Sequence, residues 1–597
     1  MKHMKKVITL LLAVVMTLAM SSVAFAAEGK PADTSISVTG LEARDTVNFY
    51  QVLKYDETAN ATGGWVAATG FTDLSQDDIQ KILGMGDYAT GKSKADKAGI
   101  DATLAGRIAQ MAQTAGASAA KFKNVAVASG AATQETTAVG DAGLYVALVT
   151  PGTTNYLYNP VFVGADYTAG GTNTQAAVTS LSYEPAALAK KEDVTLTKEI
   201  NGSSDTKYDV NVGDTVGFTI SSKVPAFSSS YIDPVYVISD TTENGLEIQG
   251  TPVVTMAGLT GDNALAAADY SVVVNADKKS FTVTLNDTGL AKVAKTGVAQ
   301  AITVKYDAKV ISLEDATVTE KENEATVKFS NNPEDKDSYS LMEDKTRTYS
   351  FTIDGNLLGK TGTSYETDEL IKVGLNADGT PATEKKKYHS GTTWTELSPL
   401  KGAEFTLYKD SGLNDVYTNS VITDGKVQSD GNGRIKIEGL DAGTYYLKET
   451  SAPTGYIADD RTFTITIDAT YETIQGGEYN KTIDGKTVKV KYDEYKVLSG
   501  YTVKVNDGTN DVTSSYTIEN KGPNDHKVVD KATYQTITGE DGGEFAGDSV
   551  TPIKNTKGTE LPSTGGIGTV IFYTIGSLLV IGCGIILVSR RRMQKNK

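Results

Sequence analysis

The chain of 597 residues contains one cysteine, three histidines and two tryptophans. Cys583 lies inside an apolar run near the C-terminus, so the rest of the chain can form no disulfide. A large exported protein often relies on disulfides, so stability outside the cell would need another source. His3 stands at the extreme N-terminus, which leaves His389 and His526. These absences exclude a His/Cys metal cluster and a cysteine nucleophile, and a serine triad would need one of two isolated histidines. Both are expected at the surface or in turns, and no metal or cofactor is expected. Basic charge is scarce too, with 57 Lys and Arg against 74 Asp and Glu, a net −17. A surface of that sign repels nucleic acid and favours solubility, so no nucleic-acid partner is expected.

The two ends are read apart from the fold. Lys2, Lys5 and Lys6, an apolar stretch from Val7 to about Met20, and Ala24-Phe25-Ala26 have the order of a secretory signal over 1–26. At the other end Leu561-Pro562-Ser563-Thr564-Gly565 precedes an uncharged run over 567–588, long enough to span a bilayer as a helix. Arg590, Arg591 and Arg592 open a basic tail at 589–597 that would stay in the cytoplasm. The pentapeptide alone is a weak signal; directly before a span and a basic tail it is specific. It resembles the cell-wall sorting signal of Gram-positive surface proteins. The resemblance implies that a sortase cysteine attacks the Thr564 carbonyl, releases Gly565 onward, and passes Thr564 to an amine, with Leu561 and Pro562 in the recognition motif.

Between the ends, 27–564 is too long for a single core, and its patterning is mainly β. Residues 27–187 alternate in short runs such as Val47–Val52 and Leu144–Val149. A helical interlude interrupts them, with a capped start at Ser75 and apolar spacing through Leu104, Ile108 and Met111. Residues 186–193 have weak strand character and read as a linker. Residues 188–345 hold seven short strands with turn-rich connections, which predicts an immunoglobulin-like sandwich. A third β-region fills 346–560, with a polar stretch at 523–550 read as a long loop or insertion. The expectation is three tandem immunoglobulin-like β-sandwiches followed by a transmembrane helix.

Lys198 alternates with Leu196 and Ile200, the apolar set of its strand. Two roles fit it: a lysine snorkelling at the sheet margin, or a buried lysine whose amine is held neutral and nucleophilic. Asp240 ends the strand Val235–Ile238, and Asn331 follows the strand Ala325–Phe329, with Asn323 and Asn332 as competitors. A neutral lysine could attack the asparagine amide while a carboxyl relays the proton, giving a Lys–Asn isopeptide bond and ammonia. Such a link closes a long loop, as a disulfide does. Lys372, Glu449 and Asn555 repeat the pattern in the third region, with Asn520 competing for the last place.

Leu-Lys-Gly-Ala-Glu-Phe-Thr-Leu-Tyr at 400–408 and Tyr-Leu-Lys-Glu-Thr-Ser-Ala-Pro-Thr-Gly-Tyr at 446–456 resemble the B-type repeat of collagen-binding surface proteins. The second also resembles the E-box of sortase-assembled pilins, and the whole order of parts is similar to the major (backbone) pilins of Gram-positive pili. That resemblance implies isopeptide sites at Lys198–Asn331 with Asp240, and at Lys372–Asn555 with Glu449. It implies as partners pilin-type and housekeeping sortases, further copies of the chain, minor pilins, peptidoglycan and host surface proteins. No cross-link is expected in the first domain, where no Glu-Thr follows the strand Gly143–Val149. Backbone pilins also use an acceptor lysine, usually in Tyr-Pro-Lys-Asn. This chain departs from that with Tyr183-Glu184-Pro185, and its nearest lysines are Lys190 and Lys191, of which Lys191 is the first choice. The rival reading is a monomeric wall-anchored adhesin, or a tip or base subunit. Asp430-Gly431-Asn432-Gly433 lacks a full calcium-loop pattern and reads as a turn.

Overall fold

The computed structural model describes residues 35–594 except 56–63, 84–98, 167–180, 202–207, 312–317, 354–355, 358–364, 367–369, 391–392, 484–485, 522–524, 533–550, 559–566 and single positions 139, 154, 182, 244, 334, 384, 432 and 493. The signal segment and the sorting motif with Leu561, Pro562, Thr564 and Gly565 therefore lie outside the described residues.

The first β-region is built on the strand Thr46–Tyr55, antiparallel to Gly143–Thr150. Its helical part appears as expected. Gln76–Ile82 starts at a capping box in which Ser75 and Asp78 bond each other's backbone amides, and Ala102–Ala115 starts at Asp101. These caps satisfy amides that the first turn leaves without partners. The segment expected as a linker is stitched in by pairing. Ala186–Leu188 runs parallel to Ser35–Thr39, and Lys191–Asp193 is antiparallel to Tyr156–Tyr158.

In the middle region one sheet orders Leu196–Asn201, Thr215–Val224, Gln300–Val310 and Leu246–Thr255. The opposing sheet carries Tyr270–Val274, Ser280–Leu285, Tyr236–Thr242, Val318–Ser330 and Tyr339–Ile353. Phe218, Ile220 and Val304 from one face meet Ile238, Phe281 and Val327 from the other in one apolar core, as a two-sheet sandwich requires. A helix, Asp287–Ala294, joins two of its strands and was not in the sequence reading.

The long strand Tyr339–Ile353 crosses the expected boundary at 345–346. Met342 enters the middle core, whereas Tyr349, Phe351 and Ile353 enter the next one. The hairpin formed by Gly477–Ile483 and Lys486–Tyr492 returns from the third region and pairs with this strand, extending the middle sheet. Its Lys481 and Tyr479 both bond the buried carboxylate of Glu343.

The third region contains a sheet ordered Lys426–Gln428, Glu404–Tyr408, Gly443–Ser451, Thr462–Ile474, Tyr495–Asn506, Asp511–Lys521 and Asp525–Ala532. A smaller sheet sets Leu370–Leu375 parallel to Thr551–Lys557, so strands almost 200 residues apart in sequence are direct neighbours. Ile567–Gln594 is one helix, and its Ile571–Gln594 part is long and apolar enough to cross a membrane.

Candidate cross-linking sites

Alternation on three strands builds the first site. On Val318–Ser330 the inward positions are Lys321, Asn323, Ala325, Val327 and Phe329. On Tyr236–Thr242 Asp240 stands opposite Ala325, which sets it diagonally beside Asn323 on the same face. Lys198 reaches over from the edge strand of the other sheet, where it pairs with Ile220. Its side chain and that of Asp240 are wholly buried. The Lys198 amine donates to Asp240 Oδ2, to Asn323 Oδ1 at 2.7 Å and to the Tyr306 hydroxyl at 3.0 Å. It lies 5.4 Å from the Phe218 ring centre.

Asn331 is not the partner of Lys198. Its amide donates to Ser340 and its carbonyl accepts from Ser338, outside the core. The strand that the sequence reading began at Ala325 begins at Val318, so the inward asparagine is Asn323 inside the strand rather than Asn331 past its end. Asp240 likewise stands within its strand rather than ending it.

The second site comes from the parallel pair. Gly374 is the register partner of Asn555, and Lys372 lies two residues earlier on the same strand, so the Lys372 amine and the Asn555 amide meet on one face. Glu449 follows Tyr445 and Leu447 along the inward face of Gly443–Ser451. The Lys372 amine donates to Glu449 Oε2 at 2.8 Å and to Asn555 Oδ1. The Asn555 amide donates to Glu449 Oε1 at 2.8 Å, and the Asp459 backbone amide donates to Oε2 at 2.8 Å. Lys372 and Glu449 have wholly buried side chains, and the Phe405 ring centre lies 5.5 Å from the amine. Gly433 braces this strand by accepting from the Lys372 amide, and a side chain there would strike the Lys372 carbonyl.

Burial governs the protonation of these groups. It pushes the Lys198 and Lys372 amines below the usual lysine range, and the nearby carboxylates offset this only in part. Burial also raises the Asp240 carboxyl. In the first site both shifts favour transfer of the proton from amine to carboxyl, toward a neutral amine beside an amide carbon. That is the state a lysine needs to act as a nucleophile.

The lysines expected as acceptors are exposed to a similar extent but held differently. Lys190 bonds the Gly297 carbonyl and pairs with Glu192 at 2.8 Å. Lys191 pairs with Glu42 at 2.9 Å and Asp193 at 3.6 Å, over the Tyr156 ring at 5.2 Å. The Glu42 hydrogen bond raises its affinity for the proton. Asp45, bonded by the hydroxyls of Tyr156 and Tyr158 at 2.8 Å and by the Glu42 amide, holds the loop that faces Lys191. Asp430 sits in a tight turn, accepting from the Arg434 amide at 2.8 Å. His389 and His526 stand on strands rather than in turns, and their side chains lie outside the described residues.

Residues 392–481 match the family model of a prealbumin-like fold domain, and residues 553–595 match that of the LPXTG cell wall anchor motif. The trypsin-resistant surface T6 protein of Streptococcus pyogenes serotype M6 is 25% identical over 461 residues, 76% of this chain and 79% of that protein. The chain carries a cell wall anchor motif and is similar in sequence to that surface protein over most of its length. The solved T6 backbone pilin of serotype M6 Streptococcus pyogenes, described as a modular three-domain structure, covers 89% of this chain with a TM-score of 0.51 at 17% identity; all of that chain is matched. That likeness shows the fold. The full-length major pilin SpaD of Corynebacterium diphtheriae covers 88% of the chain and is itself matched over 98%, with a TM-score of 0.38 at 18% identity.

Proposed function

We propose that this chain is the shaft subunit of a covalently polymerised pilus whose middle and C-terminal domains each close with an internal Lys–Asn bond. A pilin-type sortase would join Thr564 of one copy to Lys191, or to the adjacent Lys190, of the next. A housekeeping sortase would then pass the assembled fibre to peptidoglycan. Minor pilins and host surface proteins are the further partners such a fibre would meet in adhesion.

The observation that carries the internal bonds is the repeated cluster of buried amine, carboxyl and amide, all within hydrogen-bond reach, on strands far apart in sequence. In each, the amine would attack the asparagine Cγ, the carboxyl would move one proton, and ammonia would leave. The proposed bonds are Lys198–Asn323 with Asp240, and Lys372–Asn555 with Glu449. They would supply the stability that a chain whose one cysteine lies in the membrane span cannot take from disulfides.

The folded 27–564 fragment is expected to weigh less than its sequence by two ammonia molecules; an undiminished mass ends the internal-bond proposal. Cell-wall extracts are expected to give a high-molecular-weight ladder that disappears in the Lys190→Ala/Lys191→Ala double variant. A ladder that survives moves the acceptor elsewhere. The absence of any ladder from the unaltered protein favours a monomeric adhesin.

A further inference from the structure

We infer that Tyr306 is a catalytic residue of the Lys198 site and carries a proton from Asp240 to the departing nitrogen of Asn323. The inference rests on the cross-linking proposal above. Tyr306 stands on the strand Gln300–Val310 opposite Phe218, in the sheet that faces Asp240 and Asn323. Its hydroxyl touches all three other members of the cluster. It donates to Asp240 Oδ1 at 2.8 Å, accepts from Asn323 Nδ2 at 2.7 Å, and accepts from the Lys198 amine at 3.0 Å. The ring is fixed by stacking on Phe218, centre to centre 5.3 Å, and by an edge contact with Phe281 at 4.9 Å.

The other site shows why such a group is needed. Glu449 meets the amine with one oxygen and the Asn555 nitrogen with the other, so one carboxyl touches the nitrogen that must lose a proton and the nitrogen that must gain one. Asp240 is one methylene shorter. Its Oδ2 meets the Lys198 amine, but its Oδ1 is bonded to Tyr306, and the tyrosine hydroxyl in turn meets the Asn323 nitrogen. The path from carboxyl to leaving nitrogen is direct in one site and passes through a phenol in the other.

The step balances along this path. The lysine nitrogen forms a bond to Cγ of Asn323 and gives a proton to Asp240 Oδ2. Attack turns Nδ2 into an amine with a free lone pair, and the Tyr306 hydroxyl, which donates to Asp240 Oδ1 beforehand, turns to donate to Nδ2; its proton then moves to Nδ2 while the proton held by the other carboxyl oxygen moves to the Tyr306 oxygen. The Cγ–Nδ2 bond breaks, ammonia leaves, and Asp240 and Tyr306 end protonated as they began. The phenol need never ionise, which suits a hydroxyl that burial holds far above its usual pKa.

The test is Tyr306→Phe in the 27–564 protein, which keeps the ring and removes the hydroxyl. Bond formation is followed by mass on the peptides containing Lys198 and Asn323 and on those containing Lys372 and Asn555, with near-ultraviolet circular dichroism reporting folding. Loss of a proton-transfer group is expected to slow the first bond by roughly 100-fold or more, while the second forms at the native rate. Adding Asp240→Glu to Tyr306→Phe should restore the first bond, because the longer carboxyl can span both nitrogens as Glu449 does. The inference is overturned if Tyr306→Phe links Lys198 at the native rate, or if it slows the bond and Asp240→Glu does not restore it. Absence of the Lys198–Asn323 bond from the unaltered protein would instead refute the cross-linking proposal.

Discussion

Replacing Glu449 by Gln separates the chemistry of the C-terminal site from its packing. Glutamine is nearly isosteric and stays polar, but it cannot take a proton from Lys372. The Lys372–Asn555 bond should therefore not form, and the whole-protein mass should fall short of the variant's own sequence mass by one ammonia instead of two. The stability change follows from the geometry. Lys372 and Asn555 are separated by 183 positions. Treating the bond as a disulfide-like closure of that loop, its removal restores ~5 kcal/mol of unfolded-state entropy. A second loss arises because Glu449 accepts from Lys372, the Asp459 amide and Asn555. A glutamine amide group would turn a donor toward one of these donors, at about 1–3 kcal/mol. At about 2–4 °C per kcal/mol for a domain of this size, the C-terminal transition should fall by roughly 10–30 °C. Differential scanning calorimetry paired with intact mass is the assay. A variant that still loses both ammonias would show that Glu449 is not the proton carrier. A variant that keeps the extra ammonia yet melts within a few degrees of the unaltered protein would refute the loop-closure argument.

Two other outcomes are expected. Asn323→Ala should abolish the Lys198 bond, whereas Asn331→Ala should leave it intact and affect only the Ser338 and Ser340 contacts; tryptic mapping of the Lys198 peptide distinguishes them. Arg461→Ala should make C-terminal stability less dependent on acid. Although burial works the other way, the Arg461 hydrogen bonds hold the Asp459 carboxyl below its ordinary 3.8. A depressed folded-state pKa stabilises above the unfolded value and ceases to do so as pH falls through the folded one. The variant should therefore melt lower than the unaltered protein at neutral pH, and the two should converge as pH falls through the depressed folded-state pKa of Asp459. A difference that persists undiminished in acid would assign the effect to lost packing instead.

What was legible in the sequence was local. Lys372 and Glu449 lie on strands whose alternation or apolar company fixes their face, and the two ends of the chain carry linear signals. The Asn331 assignment failed at a strand boundary. Glu320, Glu322 and Glu324 make 318–324 look like a polar approach to a strand, yet they are its outward positions, and Lys321 and Asn323 are the inward ones. Continuing the alternation backward from Phe329 and Val327 would have reached Asn323. Tyr306 carried no comparable signal. Among Ile302, Val304 and Ala308 it reads as one more core aromatic, and only the facing sheet supplies its three polar partners. The hairpin Gly477–Tyr492 was equally opaque, because its strands are visible locally but their pairing with Leu341–Glu343 joins segments well over a hundred residues apart.

The positions of the two clusters bear on how the proposed fibre would carry load. Tension would enter a subunit at Lys191 and leave at Thr564. Lys198 stands seven residues beyond the first, and Asn555 nine residues before the second. With both bonds formed, the covalent path runs from Lys198 directly to Asn323, along the chain through Tyr339–Ile353 to Lys372, and directly to Asn555. The loops closed by the bonds, 199–322 and 373–554, lie off that path. Pulling would then strain strand ends and the segment 324–371, leaving most of both cores unloaded. Within that segment the hairpin Gly477–Tyr492 adds its pairing at Leu341–Glu343, with Lys481 and Tyr479 fixed on the buried Glu343. Noncovalent reinforcement is thus placed on the stretch that the covalent shortcuts leave under load, and it comes from a loop that one of those shortcuts protects.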